Sequence, residues 1–81
     1  MKKFDDGVLA DMAYSLYIKG YAVEWIDPET FLMAGGYDNY VIWISEDKTN
    51  ICVWCCHSHE VYPFQSIVRA IDFVLNKEKG E

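Results

Sequence analysis

Apolar residues first recur with a helical period. Leu9, Met12, Ala13 and Leu16 fall at i, i+3, i+4 and i+7, along one side of a helix of 3.6 residues per turn. The pattern predicts a helix over residues 6–19, with Asp5 or Asp6 accepting backbone N–H bonds at its start. Gly20 stops it at the position where the backbone turns left-handed, and Tyr21 is placed to pack back on Leu16. Beyond it the chain reads as strands. Residues 21–26 form the first, Asp27-Pro28-Glu29-Thr30 a turn, and residues 31–34 a second, shorter strand broken by Gly35-Gly36. Residues 40–44 are β-branched or aromatic throughout and make the strongest strand. The polar residues 46–50 form a hairpin loop, and residues 51–56 return as its partner strand. Residues 57–62 read as a loop, and Pro63 suits the first turn of a final helix. Phe64, Ile67, Val68, Ile71, Val74 and Leu75 form that helix's apolar stripe, and Lys77 and Lys79 sit where the helix dipole favours cations.

This order predicts one small α+β domain over residues 1–81: an antiparallel three- or four-stranded sheet flanked by N- and C-terminal helices, in α-β-β-β-α order. One feature disturbs the pattern. Val41 and Trp43 are as apolar as Tyr40, Ile42 and Ile44 on the opposite face of their strand, and Cys52, Trp54 and Cys56 oppose Ile51, Val53 and Cys55. A sheet with one face in water alternates instead. Either one helix covers each face, or one face serves binding.

Gly20-Tyr21 supplies a Gly-aromatic opening after the first helix. With the α-β-β-β-α order, it resembles the layout of double-stranded-RNA-binding domains and the related HicA-type toxins. Those toxins carry a Gly-Ser-His segment on a strand; this chain has Gly36-Tyr37-Asp38 there and lacks the basic residues of either family. The resemblance implies a fold layout and carries over no activity and no residue.

Composition adds to the picture. At 81 residues, the folded chain buries only about 60–65% of the surface its unfolded form exposes. Yet 52% of its residues are hydrophobic and 16% aromatic, a large apolar content for so small an interior. That excess predicts an oligomer or a protein partner. The net charge is −6, and between Lys19 and Lys48 there is no base but six acids: Glu24, Asp27, Glu29, Asp38, Glu46 and Asp47. Phosphate backbones require clustered Lys and Arg, so direct nucleic-acid binding is not expected. The opening Met1-Lys2-Lys3-Phe4-Asp5-Asp6-Gly7 has no apolar core of a signal peptide, and no apolar run approaches the roughly 20 residues of a membrane span. The expected location is the cytoplasm, with no membrane partner. Three clustered cysteines make a poor disulfide framework, and adjacent Cys55 and Cys56 would point to opposite faces of a strand. Free thiols are expected.

Candidate chemistry centres on Cys52-Val53-Trp54-Cys55-Cys56-His57-Ser58-His59. If the strand runs on, Cys55, His57 and His59 project to one side and offer three ligands of the types zinc takes. Structural zinc sites pair such a cluster with a second one, which this sequence lacks, so no metal and no cofactor is expected. A redox Cys-x-x-Cys needs its first thiol at a helix N-terminus, not mid-strand. His59-Glu60 has no positioned nucleophile, Ser45, Ser58 and Ser66 sit in no nucleophile-elbow context, and Gly35-Gly36 is too short to cradle a phosphate.

These absences predict a non-enzymatic, acidic protein-binding module. Its expected contact residues are Glu24, Trp25, Asp27, Glu29, Tyr37, Asp38, Tyr40, Glu46 and Asp47, aromatic anchors within an acidic rim that suits a basic partner. In size, acidity and lack of motifs the chain is similar to anti-CRISPR and anti-restriction proteins. That likeness implies a phage or mobile-element inhibitor of a basic, nucleic-acid-binding protein. The alternatives are a structural homodimerisation domain that pairs through its surplus apolar face, and a metal-binding protein built on Cys55, His57 and His59.

Overall fold

The computed structural model describes residues 3–80; Met1, Glu81 and the terminal Lys2 lie outside them. The elements are α1 (Val8–Tyr17), β1 (Ala22–Asp27), β2 (Thr30–Ala34), β3 (Asn39–Ile44), β4 (Ile51–Cys55), β5 (Glu60–Phe64) and α2 (Ile67–Glu78). The strands form one antiparallel meander in the spatial order β1-β2-β3-β4-β5.

The α+β class and the flanking helices stand, but the sheet has five strands where three or four were expected. The added strand comes from residues read as a loop and as the start of the last helix. In β5, Val61 and Pro63 alternate with Tyr62 and Phe64, a period of two hidden by the proline. Proline is tolerated there because β5 is an edge strand, where a missing N–H interrupts no ladder. Phe64 therefore belongs to the sheet. Helix α2 begins after Ser66, whose hydroxyl accepts the Arg69 N–H at 3.4 Å. Helix α1 also starts differently: Gly7 occupies the cap position and no side chain among the described residues caps it. Asp5 contributes its carbonyl to the Val8 N–H, and Asp6 pairs instead with Lys48 Nζ at 3.2 Å.

The stop of α1 follows the expectation. Gly20 has φ of +100°, its N–H bonds the Tyr17 carbonyl at 3.0 Å, and the Tyr21 N–H reaches back to Leu16 at 3.3 Å. This is a Schellman closure, and it requires a residue without a Cβ penalty at position 20.

Both helices lie on the same sheet face. Leu9, Met12, Ala13 and Leu16 of α1, with Ala70 and Val74 of α2, are buried in one cluster with Phe31, Met33, Tyr40, Ile42, Ile51, Val53 and Cys55. Strand register puts those seven sheet residues on one side: Phe31 opposes Ile42, Ile42 opposes Val53, Met33 opposes Tyr40 and Tyr40 opposes Cys55. Ile71 packs at the margin of this core rather than inside it. Among the described residues, no helix is long and apolar enough to cross a membrane.

Candidate functional site

The second sheet face has no helix over it, and its composition follows from strand alternation. One cross-strand row takes a residue from each strand: Glu24, Leu32, Val41, Trp54 and Val61. At 4.7–4.9 Å per strand the row spans roughly 19 Å. A second row reads Asp27, Thr30, Trp43, Cys52 and Pro63. Neither row contributes to the core or to the residues packed against it. Leu32, Val41, Trp43 and Trp54 are half-buried, and Val61 is 48% exposed. His59 caps the row at the β4–β5 loop, its ring stacked on Trp54 at 5.9 Å and 7°. Each row begins with an acid on β1 and continues without a cation. The result is an apolar face with an acidic margin.

More acids gather at one end of the sheet. The β1–β2 turn and the β3–β4 loop lie together there, and a shallow depression between them is lined by residues that include Asp5, Asp6, Trp25, Glu29 and Glu46, with Lys48 paired to Asp6. Asp27 shapes its turn by accepting the Glu29 N–H at 2.7 Å. Asp47 organises the other loop: its Oδ1 accepts Ser45 Oγ at 2.7 Å, Thr49 Oγ1 at 2.7 Å and the Thr49 N–H at 3.1 Å. Those bonds, with the Ser45 hydroxyl first, hold its carboxyl below the usual range. Glu24, Trp25, Asp27, Glu29, Glu46 and Asp47 are exposed, and Trp25 packs one side of its ring on Phe31 at 5.2 Å.

The remaining expected contact residues sit at the opposite end. Tyr37 is exposed on the β2–β3 turn near the His57 ring, 6.1 Å away. Asp38 and Tyr40 are buried. Asp38 Oδ1 accepts the Asn39 N–H at 2.7 Å and the His57 N–H at 3.0 Å, tying the β2–β3 turn to the β4–β5 loop, while Oδ2 is buried without a partner among the described residues. Tyr40 donates its hydroxyl to Glu78 Oε2 at 2.8 Å, and the same carboxylate accepts the Tyr37 and Asp38 N–H groups, each at 3.1 Å. Burial, and then the Glu78 hydrogen bond, push the Tyr40 phenol well above its ordinary pKa. Asp38 and Tyr40 thus hold the fold and offer a partner no free surface.

The Cys/His segment does not form the ligand set that an extended strand predicted. The chain turns after Cys55, with His59 at φ +60° and its N–H on the Cys55 carbonyl at 2.8 Å. Cys55 is buried toward the helices, His57 lies beside Tyr37, and His59 stacks on the open face. Among the described residues no group of three His, Cys, Asp or Glu side chains is placed to hold a metal ion. All three thiols are free. Burial raises each of their pKa values, so none is a ready nucleophile near neutral pH.

Two parts of this arrangement escaped sequence reasoning. The second apolar face of β3 and β4, with Val41, Trp43 and Trp54, is legible in the sequence, but strand register extends it to Leu32 and Val61; the signal available for Val61 was the alternation across residues 60–64. Glu78 carried no local signal, because its partners lie about forty positions away. Comparison with protein-family models, curated proteins and solved structures finds no match for the chain.

Proposed function

We propose that the chain is a non-enzymatic protein-binding module whose recognition surface is the helix-free face of its sheet. The supporting observation is the row Leu32–Val41–Trp54–Val61, apolar across four strands and excluded from the core. Contiguous apolar surface of this kind, rimmed by polar residues, marks interaction sites. Glu24 and Asp27 border it, and Glu29, Glu46 and Asp47 add charge of the same sign at one end of the sheet. The partner that fits is a protein with an apolar patch bordered by Lys and Arg; a basic nucleic-acid-binding protein, masked by this chain, meets that description.

Homodimerisation through the same face is the second reading, favoured by the uninterrupted apolar row. A single set of variants decides between them. Trp54→Ala and Val61→Lys are expected to keep the melting curve and abolish capture of a specific protein from a host extract, while the free chain sediments as a monomer. A dimer at micromolar concentration that dissociates in Val61→Lys would move the assignment to the second reading. Full capture by both variants would remove the open face from either.

A further inference from the structure

The sheet has two free edges, and they differ. Strand β5 carries Pro63, which lacks an N–H; both edge strands have a helix packed beside them, α2 on β5 and α1 on β1. Strand β1 has no proline, and five of its six residues are exposed. It pairs regularly with β2 from Ala22 to Trp25 before its register breaks ahead of Asp27. Its outer edge therefore presents unpaired backbone donors and acceptors over four residues. Beside that edge, on the helix side, runs a groove of about 290 Å³ lined by Ala10, Ala13, Tyr14, Tyr17, Val23 and Trp25. Tyr14 and Tyr17 are each 65% exposed and Trp25 44%. With Ile18, the residue that follows α1, and Ile26, these make five of the eight exposed large apolar residues among those described.

We infer that β1 takes an extended segment of the partner as a sixth, edge-added strand. The inference rests on the protein-binding reading and specifies how the partner's backbone enters. Strand alternation dictates the segment's chemistry. Residues opposite Val23 and Trp25 point into the groove and must be apolar. Residues between them lie on the open-face side beside Glu24, which no ion pair among the described residues neutralises. The segment that fits alternates apolar residues with Lys or Arg. A second copy of β1 would bring Glu24 and Asp27 against the same acids.

The test is selection of random twelve-residue peptides displayed on phage, panned on the full chain at low salt. Enriched peptides are expected to alternate apolar residues with Lys or Arg over at least four positions. As free peptides they should shift the backbone amide resonances of residues 22–25. Their affinity should fall at least tenfold for Glu24→Lys and for Trp25→Ala, both exposed sites, and stay within twofold for Trp54→Ala. N-methylation at every second residue should abolish binding in one phase and spare it in the other, because an added strand uses only alternate N–H groups. Peptides that instead map to Leu32, Val41 and Trp54 would overturn the edge assignment and leave the binding module standing. No enrichment would also overturn the edge assignment; if the chain then captures no protein through its open face either, the binding reading fails with it. Concentration-dependent protection of the residue 22–25 amides in the free chain would overturn the choice of occupant in favour of a second copy.

Discussion

The carboxylate of Glu78 fills the space that a side chain at Gly35 would need. A Cβ built at residue 35 collides with the Glu78 carboxyl group, which is held there by the Tyr37 and Asp38 N–H groups and the Tyr40 hydroxyl. Gly35 is thus selected by close approach and not by a left-handed backbone. The contact clasps the last turn of α2 to the β2–β3 turn, and so fixes the helix across the sheet. Gly35→Ala should expel the carboxylate and cost about 1.5–3 kcal/mol, the range for hydrogen bonds to a charged group. Glu78→Ala should cost a similar amount, and the double variant little more than either single one. Urea unfolding of all four proteins checks this; additive losses would show that the two residues act independently.

The two faces of the sheet should respond oppositely to truncation. Ile42 is fully buried under the helices, and Ile42→Ala is expected to cost about 2–5 kcal/mol. Val61 lies at the open face, and Val61→Ala should stay within about 0.5 kcal/mol. Equal shifts in the urea midpoint would mean that the open face is covered in solution.

Thiol chemistry reads the same division. Cys55 is buried in the core, whereas Cys52 and Cys56 are half-exposed. An aromatic disulfide reagent should label two thiols in the native chain, slowly at pH 7 because burial raises their pKa, and the third only on unfolding. A chelator should leave the melting temperature unchanged. Three equivalent thiols, or a chelator-induced drop in stability, would contradict the placement of Cys55 and the absence of a metal contribution.

Alkaline pH should destabilise the chain, and the sign follows from the direction of the shifts. A phenol or thiol whose folded pKa is raised favours the protonated form in the native state. Its contribution is complete below the unfolded pKa, about 8.5 for Cys and 10 for Tyr, and is lost as pH rises through the interval above it. Cys52, Cys55, Cys56 and Tyr40 all shift upward. Stability should therefore be flat near pH 7 and fall from about pH 9 upward. Tyr40→Phe should flatten the part of that fall above pH 10. Melting temperatures between pH 7 and 11 measure it; an unchanged slope in Tyr40→Phe would remove Tyr40 as a contributor.

Glu46 and Asp47, adjacent in sequence, should separate in experiment. The charges alone suggest that neutralising both leaves stability intact. The structure divides them, since Asp47 accepts three hydrogen bonds within its loop and, among the described residues, no hydrogen bond or ion pair involves Glu46. Glu46→Gln should slow association with a basic partner at low salt and leave the melting temperature unchanged. Asp47→Ala should lower the melting temperature as well. Stopped-flow association and thermal melts, run on both variants, test the separation.

Local pattern settled much of the fold. The stripe Leu9, Met12, Ala13, Leu16 and the Gly20 stop are written at helical spacing, and each reports on residues no more than a few positions away. The β-branched and aromatic run of β3 and its hairpin to β4 are likewise local. Strand β5 was concealed because Pro63 has two meanings, a helix start or an edge strand, and only its position beside β4 separates them. The acids and aromatics were visible as types but not as places. Asp38 and Tyr40 look like Glu24 and Trp25 in a sequence, yet hydrogen bonds from distant segments bury the first two. Both faces of the central strands are apolar, so alternation alone cannot say which one the helices take. That choice belongs to the tertiary structure: α1 and α2 pack on the side of Ile42 and Val53, and the burial of one face leaves Val41 and Trp54 on the other.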